Sequence, residues 1–192
     1  IMINLNHAVQ FQHNLWQDAL AKAHCIVDAT VGNGHDFLYL ANHCAPHASL
    51  FGFDIQLAAI KATQERMKEC SRRDISWQLS LGDHADFLGP DTPLDYPIDL
   101  AVFNLGYLPS GDHSLMTKAD TTIRALQGAL SHLTPQGMIT VVAYPGTPEG
   151  AAEEAAVLEY ITGLPQRDYD VSTWRPLNQR NQPPTLYILR GR

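Results

Sequence analysis

Short runs of apolar residues alternate along this chain with longer stretches in which apolar residues recur every three or four positions. Short apolar runs are typical of buried strands in a parallel sheet, whereas the longer period is typical of helices that pack on one side. The alternation therefore predicts an α/β fold. Predicted strands cover residues 25–30, 49–54, 76–81, 100–104, 138–144, 169–175 and 185–190. Predicted helices cover residues 8–23, 36–43, 57–70, 117–133 and 150–164.

The last two predicted strands are joined by a short polar loop and no helix, so they should pair antiparallel. Seven strands that end in such a hairpin, with helices on both faces, are the layout of Rossmann-like class I methyltransferases. The sheet is then mostly parallel with an antiparallel final strand. The length of 192 residues fits one domain, residues 1–192. A dehydrogenase would more often continue into a second domain, and it is the least favoured interpretation.

Composition narrows the classes of function. The net charge of −7 counts against a broad nucleic-acid surface, but it leaves a local basic groove open. No run approaches about 18 apolar residues, and residues 1–10 lack the pattern of a secretion signal, so no membrane contact is expected. Cys25, Cys44 and Cys70 are odd in number and widely spaced, which favours a reducing cytoplasm over a disulfide framework. The nine histidines are scattered, so we expect no metal.

The first predicted strand runs into the motif D-A-T-V-G-N-G-H-D, residues 28–36. Gly32 and Gly34 let the backbone pass close to a ligand, and the following helix presents free N–H groups. Such a helix N-terminus favours a carboxylate, for example the methionine end of S-adenosylmethionine (SAM). Phe37 replaces the third glycine of G-x-G-x-x-G, which weakens the interpretation as a dinucleotide site. A tight turn without a ligand is the alternative.

Acidic residues end the next two predicted strands. Asp54 lies 20 residues after Gly34, where its carboxylate could accept hydrogen bonds from both ribose hydroxyls. The alternative is an N-cap for the helix that begins at residue 57. Asp83 follows the third strand, where it could accept a hydrogen bond from an adenine amino group or cap a helix.

Another motif, Asn104-Leu105-Gly106-Tyr107-Leu108-Pro109, follows the fourth strand, at the switch point where such sheets bind ligands. It resembles the Asn-Pro-Pro-Tyr motif of amino-group methyltransferases. That resemblance implies that Asn104 orients the target amine and that Tyr107 stacks on a base. A turn residue and a core aromatic are the alternatives. The amide-rich loop 178–184 suits hydrogen bonding to a base or ribose, or is a polar turn without function.

Four motifs together resemble one family across nearly the whole chain: D-A-T-V-G-N-G-H-D (28–36), F-D-I-Q (53–56), F-N-L-G-Y-L-P-x-G-D (103–112) and N-Q-x-N-x-P-P (178–184). This is the rRNA methylase family, whose members are assigned as tRNA 5-(aminomethyl)-2-thiouridine methyltransferases. The resemblance implies a tRNA modification enzyme that uses SAM as cofactor. It would convert the wobble aminomethyl group to methylaminomethyl, with the tRNA anticodon stem-loop as partner.

Motifs and resemblance together define the expected site. The cofactor-binding residues are Asp28, Thr30, Gly32, Asn33, Gly34, His35, Asp36, Asp54, Gln56, Asp83, His84 and Asn104. The catalytic residues are Asn104, Tyr107 and Asp112, and the substrate-binding residues are Tyr107, Asn178, Gln179 and Asn181. The resemblance also brings Gly106 into the functional set. Thr147 stands where the family often has His, and His113 where it often has Lys, so neither side chain is assigned a role.

The expected reaction is N-methylation of a primary amine on the wobble uridine. An alkylamine is mostly protonated at neutral pH, so the site must bind the neutral form or take a proton, for which Asp112 and His84 are the candidates. Two alternatives stay open: an rRNA or small-molecule amine methyltransferase of the same fold, or a module that binds SAM or a nucleotide without catalysis. The sequence does not decide the oligomeric state, for which a homodimer is one expectation.

Overall fold

A computed structural model describes residues 7–92, 95–106 and 114–192 of the chain, without the side chain of His7. The strands are β1 (Cys25–Asp28), β2 (Ser49–Asp54), β3 (Ser76–Leu81), β4 (Ile98–Asn104), β5 (Leu133–Ala143), β6 (Tyr169–Trp174) and β7 (Thr185–Gly191). The helices are α1 (His7–Leu20), α2 (His35–His43), α3 (Leu57–Met67), α4 (His84–Leu88), α5 (Ala119–Ser131) and α6 (Pro148–Thr162).

The seven strands form one sheet in the order β3-β2-β1-β4-β5-β7-β6. Strand β7 pairs antiparallel with both β5 and β6, and the remaining neighbours pair parallel. The predicted fold class, with its antiparallel final strand, is therefore confirmed. The chain runs outward from β1 to β3 and then returns to β4, so the strand order reverses between β1 and β4. In open α/β sheets a ligand crevice lies at this point, outside the carboxyl ends of the strands.

Alternate residues along the central strands supply two separate cores, one on each face of the sheet. Ala101 and Phe103 of β4 pack with α4, α5 and α6, whereas Leu100 and Val102 pack with α1, α2 and α3. All four side chains are fully buried. Because successive side chains of a strand point to opposite faces, a strand covered by helices on both sides is apolar throughout. This burial explains why the central strands read as continuous apolar runs.

The structure corrects several predicted boundaries. Strand β5 begins at Leu133, so residues 134–137, which separate the predicted helix 117–133 from the predicted strand 138–144, belong to a strand. Leu133 pairs with Ile98, which extends β4 backward across an irregularity in register. Helix α4 was not predicted, because five residues are too few to show a helical period. The ends of α1, α3, α5 and α6 also fall two or three residues earlier than the apolar pattern indicates.

Helix α1 is fixed to the sheet by a buried hydrogen bond. Trp16 is fully buried, and its indole N–H donates to Thr140 Oγ1 on β5 at 3.2 Å. Phe11, five residues earlier, stacks on Trp174 of β6 with ring centroids 4.9 Å apart. The two contacts set the rotation of α1 about its axis, and thereby set the direction in which His13 points.

Within the described ranges, no helix is long and apolar enough to cross a membrane. The same residues contain no group of three or more His, Cys, Asp or Glu side chains that could hold a metal ion. Cys25, Cys44 and Cys70 are free thiols, and all three are buried.

Replacing Thr140 by Val should destabilise the fold by about 1–3 kcal/mol, because the buried Trp16 N–H loses its acceptor while the side-chain volume barely changes. Urea denaturation of wild type, Thr140→Val, Trp16→Phe and the double variant measures the coupling. In the Trp16→Phe background the Thr140→Val change should cost much less. If Thr140→Val lowers the free energy of unfolding equally in both backgrounds, this hydrogen bond does not fix α1 to the sheet.

Candidate functional site

A cavity of about 680 Å³ opens at the carboxyl ends of the parallel strands, at the point where the strand order reverses. The turns after β1, β2, β3, β4 and β5 all contribute to its wall. Among the predicted site residues, those that line it are Thr30, Gly32, Asn33, His35, Asp36, Asp54, Gln56, Asp83, His84, Asn104 and Gly106. The sequence motifs therefore converge in space although they are spread over 77 positions of the chain, from Thr30 to Gly106.

The glycine loop after β1 has the backbone conformation that its glycines allow. Gly32 and Gly34 have φ angles of 52° and 76°, in the left-handed region. A Cβ on Gly34 would lie 2.8 Å from the Thr63 backbone, so α3 can pack this closely only against glycine. Thr63 Oγ1 donates to Gly32 O at 3.2 Å, and Arg66 Nε donates to Asn33 O at 2.7 Å. Helix α3 thus holds the loop from outside while the N-terminus of α2 faces the cavity.

Asp54 connects two of the turns. Its Oδ2 accepts from Gly32 N–H at 3.0 Å, and its Oδ1 accepts from Gln56 N–H at 2.9 Å. Burial raises the pKa of this carboxyl, and the hydrogen bonds from Gln56 and Gly32 and the nearby His84 oppose the rise. The N-cap of α3 is Gln56, so the alternative of Asp54 as that N-cap is wrong. Gln56 itself donates from Nε2 to Leu115 O at 3.0 Å.

Asp83 and His84 begin helix α4. Asp83 is its N-cap and accepts from Ala85 N–H at 2.9 Å, and it also lines the cavity. The two predicted roles of Asp83 are therefore compatible. His84 Nδ1 lies 3.3 Å from Ala29 O, and its Nε2 lies 3.5 Å from Thr122 Oγ1. Burial lowers the pKa of His84, which makes the ring a weaker proton acceptor.

Asn104 presents a buried hydrogen-bond acceptor that no residue in the described ranges satisfies. Its backbone N–H donates to Thr30 Oγ1 at 2.6 Å, and its Nδ2 donates to Asp36 Oδ2 at 2.8 Å. A carboxylate only accepts hydrogen bonds, so the amide nitrogen must face Asp36 and the carbonyl oxygen must face elsewhere. That oxygen, Oδ1, is buried, and no group of the described chain hydrogen-bonds to it. Buried acceptors are nearly always satisfied in folded proteins, so this one indicates a ligand contact.

Asp28 is a second buried side chain with an oxygen that accepts no hydrogen bond from the described residues. It is fully buried at the end of β1, and its Oδ1 accepts from Thr30 N–H at 3.1 Å. Oδ2 has no hydrogen-bond partner in the part of the chain that the structure describes. Burial raises the pKa of Asp28 well above its ordinary value, and the negative charges of Asp36 and Asp54 raise it further. The site therefore concentrates acidic groups in a poorly solvated place.

Sequence reasoning missed His13, which lies behind Asp36. His13 Nε2 is 2.6 Å from Asp36 Oδ1, so Asp36 bridges His13 and Asn104. The histidine comes from α1, and the apolar period of that helix indicates packing only. No feature of the sequence pairs residues 13 and 36, because they meet only after α1 has docked on the sheet.

Glu153 was also missed, and it supports the turn after β4. Gly106 N–H donates to Thr117 Oγ1 at 2.7 Å, and Thr117 N–H donates to Gly106 O at 2.8 Å. The Thr117 hydroxyl then donates to Glu153 Oε2 at 2.7 Å, while Thr122 donates to Oε1 at 2.8 Å. Burial raises the pKa of Glu153, and the two hydroxyl donors oppose the rise. Tyr107, Asp112 and His113 lie outside the described residues, so their expected positions stay predictions.

The loop between β6 and β7 is exposed and reaches the cavity at one residue. Gln182 lines the cavity, whereas Asn178, Gln179 and Asn181 lie outside its described wall. Asn181 and Gln182 have φ angles of 63° and 49°, which is uncommon for residues other than glycine. Thr147 lines the cavity and caps α6, accepting from Gly150 N–H at 3.1 Å.

Comparison with known proteins identifies the relatives of this chain. The family described as "Putative rRNA methylase" matches residues 50–190. A chloroplastic tRNA (mnm5s2U34)-methyltransferase from Arabidopsis thaliana is 31% identical over 191 residues, which cover 95% of this chain and 69% of the relative.

Two solved structures share the fold closely. An rRNA methylase described as putative, from Clostridium thermocellum, has a TM-score of 0.89 and 35% identity, with 98% of this chain and 100% of that chain covered. A putative methyltransferase from Streptococcus mutans, in complex with SAH, has a TM-score of 0.84 and 32% identity, with 97% and 99% covered.

Replacing Asp28 by Asn should stabilise the ligand-free protein at pH 8, because the variant carries no buried carboxylate. A carboxyl whose pKa is raised on folding favours the folded state at low pH, and that contribution is lost as the pH rises through the raised pKa. The advantage of Asp28→Asn should therefore grow from about pH 5 to pH 8 in urea denaturation series.

Asp74→Asn is the matched control, because the contribution of Asp74 to stability changes with pH in the opposite direction. Hydrogen bonds from Arg72 hold the pKa of Asp74 below its ordinary range, so its contribution is present at neutral pH and is lost on acidification. An Asp28→Asn variant that is less stable than wild type at pH 8 would contradict the assignment of a strained buried charge at this position.

Proposed function

Because the chain belongs to the family described as putative rRNA methylases, we propose that it is a SAM-dependent methyltransferase that converts 5-aminomethyl-2-thiouridine to 5-methylaminomethyl-2-thiouridine at the tRNA wobble position. The observation that carries the proposal is the buried Oδ1 of Asn104 at the strand switch point, an acceptor to which no described residue donates a hydrogen bond. The plant relative bears the name of this reaction, and the Streptococcus mutans structure holds SAH.

The residues present fit the cofactor. The free N–H groups at the start of α2 and the two left-handed glycines suit its carboxylate. A bound cation would favour the ionised form of the buried Asp28 carboxyl beneath the loop. Asp54 keeps lone pairs for ribose hydroxyls after its two backbone contacts, and Asp83 lies where an adenine amino group is expected. When bound, SAM supplies an activated methyl group.

Asn104 would act by orientation. Its Oδ1 accepts an N–H from the substrate amine, which aims the nitrogen lone pair along the line of transfer. Transfer needs the neutral amine, because an ammonium ion has no lone pair to attack the methyl group. Since burial lowers the pKa of His84 and both of its ring nitrogens face protein groups, Asp112 is the proton acceptor that we propose. Tyr107 would stack on a base.

The RNA partner would be the anticodon stem-loop, held by the basic end of the chain. Residues 171–192 contain four arginines and no acidic residue, in a chain of net charge −7. Arg175 and Arg180 flank the exposed amides Asn178 and Gln179 in the loop that reaches the cavity. Cationic and amide side chains are the usual contacts to phosphate and base edges. An rRNA substrate, which the family description names, is the second candidate.

The organisation that we propose is a single catalytic domain over residues 1–192 that works in the cytoplasm. The free, buried thiols suit a reducing compartment. A homodimer stays a prediction, to be tested by light scattering.

Asn104→Ala should lower the rate of single-turnover methylation by roughly 10²-fold or more, because one positioned hydrogen bond at the reacting nitrogen is lost. The substrate is tRNA that carries aminomethyl-thiouridine, and calorimetry gives the SAM affinity of each variant. SAM affinity should change much less than the rate, since the missing contact is to the amine.

Asn42→Ala is the matched control, because Asn42 is an exposed amide on α2. Its rate should equal that of wild type. Near-normal turnover by Asn104→Ala would leave Asn104 as a turn residue. Activity on rRNA fragments but not on the tRNA would move the proposal to the second candidate.

Affinity for an anticodon stem-loop should fall with salt along a shallow slope, because few phosphates meet cationic side chains. Fluorescence anisotropy at several salt concentrations measures the slope. Arg175→Gln and Arg180→Gln should each reduce it by about 1. Arg167→Gln is the control: Arg167 precedes the first residue of β6, whereas the loop follows the last residue of that strand, so the two lie at opposite ends of β6. A slope unchanged by both loop variants would exclude this loop as the phosphate contact.

A further inference from the structure

We propose that His13 is a positioning residue for methyl transfer, because through Asp36 it fixes the orientation in which Asn104 presents its carbonyl oxygen. The inference rests on the proposed function, and it adds to the site a residue from helix α1 that none of the motifs contains. His13 would not touch the reacting atoms.

The three side chains form an ordered chain of hydrogen bonds. His13 Nε2 lies 2.6 Å from Asp36 Oδ1, and Asn104 Nδ2 donates to Asp36 Oδ2 at 2.8 Å. Each carboxylate oxygen therefore has its own donor, from opposite sides. The His13 and Asp36 side chains are 14% and 12% exposed, so solvent screens the contact little.

Two orientations of the Asn104 amide exist, and only one serves the reaction. With Nδ2 toward Asp36, Oδ1 is left as an acceptor for an amine; the reverse would set two oxygens against each other. The preference depends on Asp36 keeping its own orientation. Without the donor at Oδ1, the carboxylate is free to turn about its terminal torsion, which is soft for Asp. His13 removes that freedom with a short, charge-assisted hydrogen bond.

The ring of His13 is itself held in place. It stacks on Tyr39 with centroids 4.1 Å apart and on Trp16 at 5.0 Å. Trp16 is fixed to β5 by its hydrogen bond to Thr140. Stacking determines the ring plane, and the plane determines where Nε2 points. The orientation of Asp36 is therefore fixed relative to the sheet through His13 and Trp16 of helix α1.

A tie between α1 and α2 that only stabilises the fold would produce the same contact, so the variants must separate the two roles. His13→Phe keeps an aromatic ring in the stack and loses the donor. His13→Gln loses the ring and keeps an amide donor at the reach of Nε2. His43→Phe is the matched control: His43 stacks on Tyr39 at 4.2 Å but is exposed and has no contact with Asp36 in the described structure.

Single-turnover methylation of aminomethyl-thiouridine tRNA, at saturating RNA and SAM, is the first measurement. His13→Phe should lower the rate by about tenfold, the usual effect of losing a group that orients a functional side chain, while the KM for tRNA and the Kd for SAM stay within about twofold. His13→Gln should recover most of the rate, and His43→Phe should match wild type. In the Asn104→Ala background, His13→Phe should have no further effect.

The second measurement needs no substrate. In the ¹⁵N–¹H correlation spectrum of the ligand-free protein, the side-chain NH₂ signals of Asn104 should shift and broaden in His13→Phe, stay close to wild type in His13→Gln, and be unchanged in His43→Phe. Unaltered Asn104 signals in His13→Phe would overturn the inference, whatever the substrate.

Three kinetic results would also overturn it: a normal rate in His13→Phe, equal losses in His13→Phe and His13→Gln that follow their loss of stability, or an undiminished effect of His13→Phe without Asn104. The proposed function fails separately. It fails if Asn104→Ala methylates normally, whereas a defective Asn104→Ala beside a normal His13→Phe rejects only the role of His13.

Discussion

Burial of negative charge at the carboxyl edge of the sheet is the constraint on which the site depends. Asp28 ends β1, Asp36 lies in the first turn of α2 and Asp54 ends β2; the three meet beside one cavity, and the charges of Asp36 and Asp54 help to raise the pKa of Asp28. Such a group of carboxylates is costly in a place with little water, unless donors or a cation balance it. The backbone N–H groups of Gly32, Gln56 and Thr30 provide part of that balance.

Further support for the site comes from helices α1 and α6, which do not contribute to the strand–turn–helix motifs of the sequence. Helix α1 brings His13 to Asp36, and α6 brings Glu153 to the turn after β4. These supports join residues far apart in the chain: 23 positions separate His13 from Asp36, and 124 separate Trp16 from Thr140. The geometry of the site is therefore a property of the whole sheet with its helices, and cannot be assigned to the motifs alone.

The difference between local motifs and contacts made by residues far apart in the chain explains which features the sequence could predict. All seven strands follow from apolar runs, and the glycine loop with Asp54 follows from local spacing, because these features are set by residues near them in the chain. His13 and Glu153 have no such local sign, since each acquires its meaning from a partner on another element. Helix α4 is too short for a period, and β5 begins at Leu133 because pairing with Ile98 overrides the turn-forming residues that follow.

The pair of hydrogen bonds between Gly106 and Thr117 has an evolutionary consequence. These two hydrogen bonds fix the distance between Gly106 and Thr117, and therefore the distance between the two ends of the segment that joins them. Lengthening a segment so anchored costs only a slowly growing closure entropy, about 0.6 kcal/mol for each doubling of its length. Insertions there would leave the strand pairing of the sheet undisturbed. The turn after β4 is thus a place where the length and sequence of the chain can change, and with them the target molecule, while the packed core stays the same.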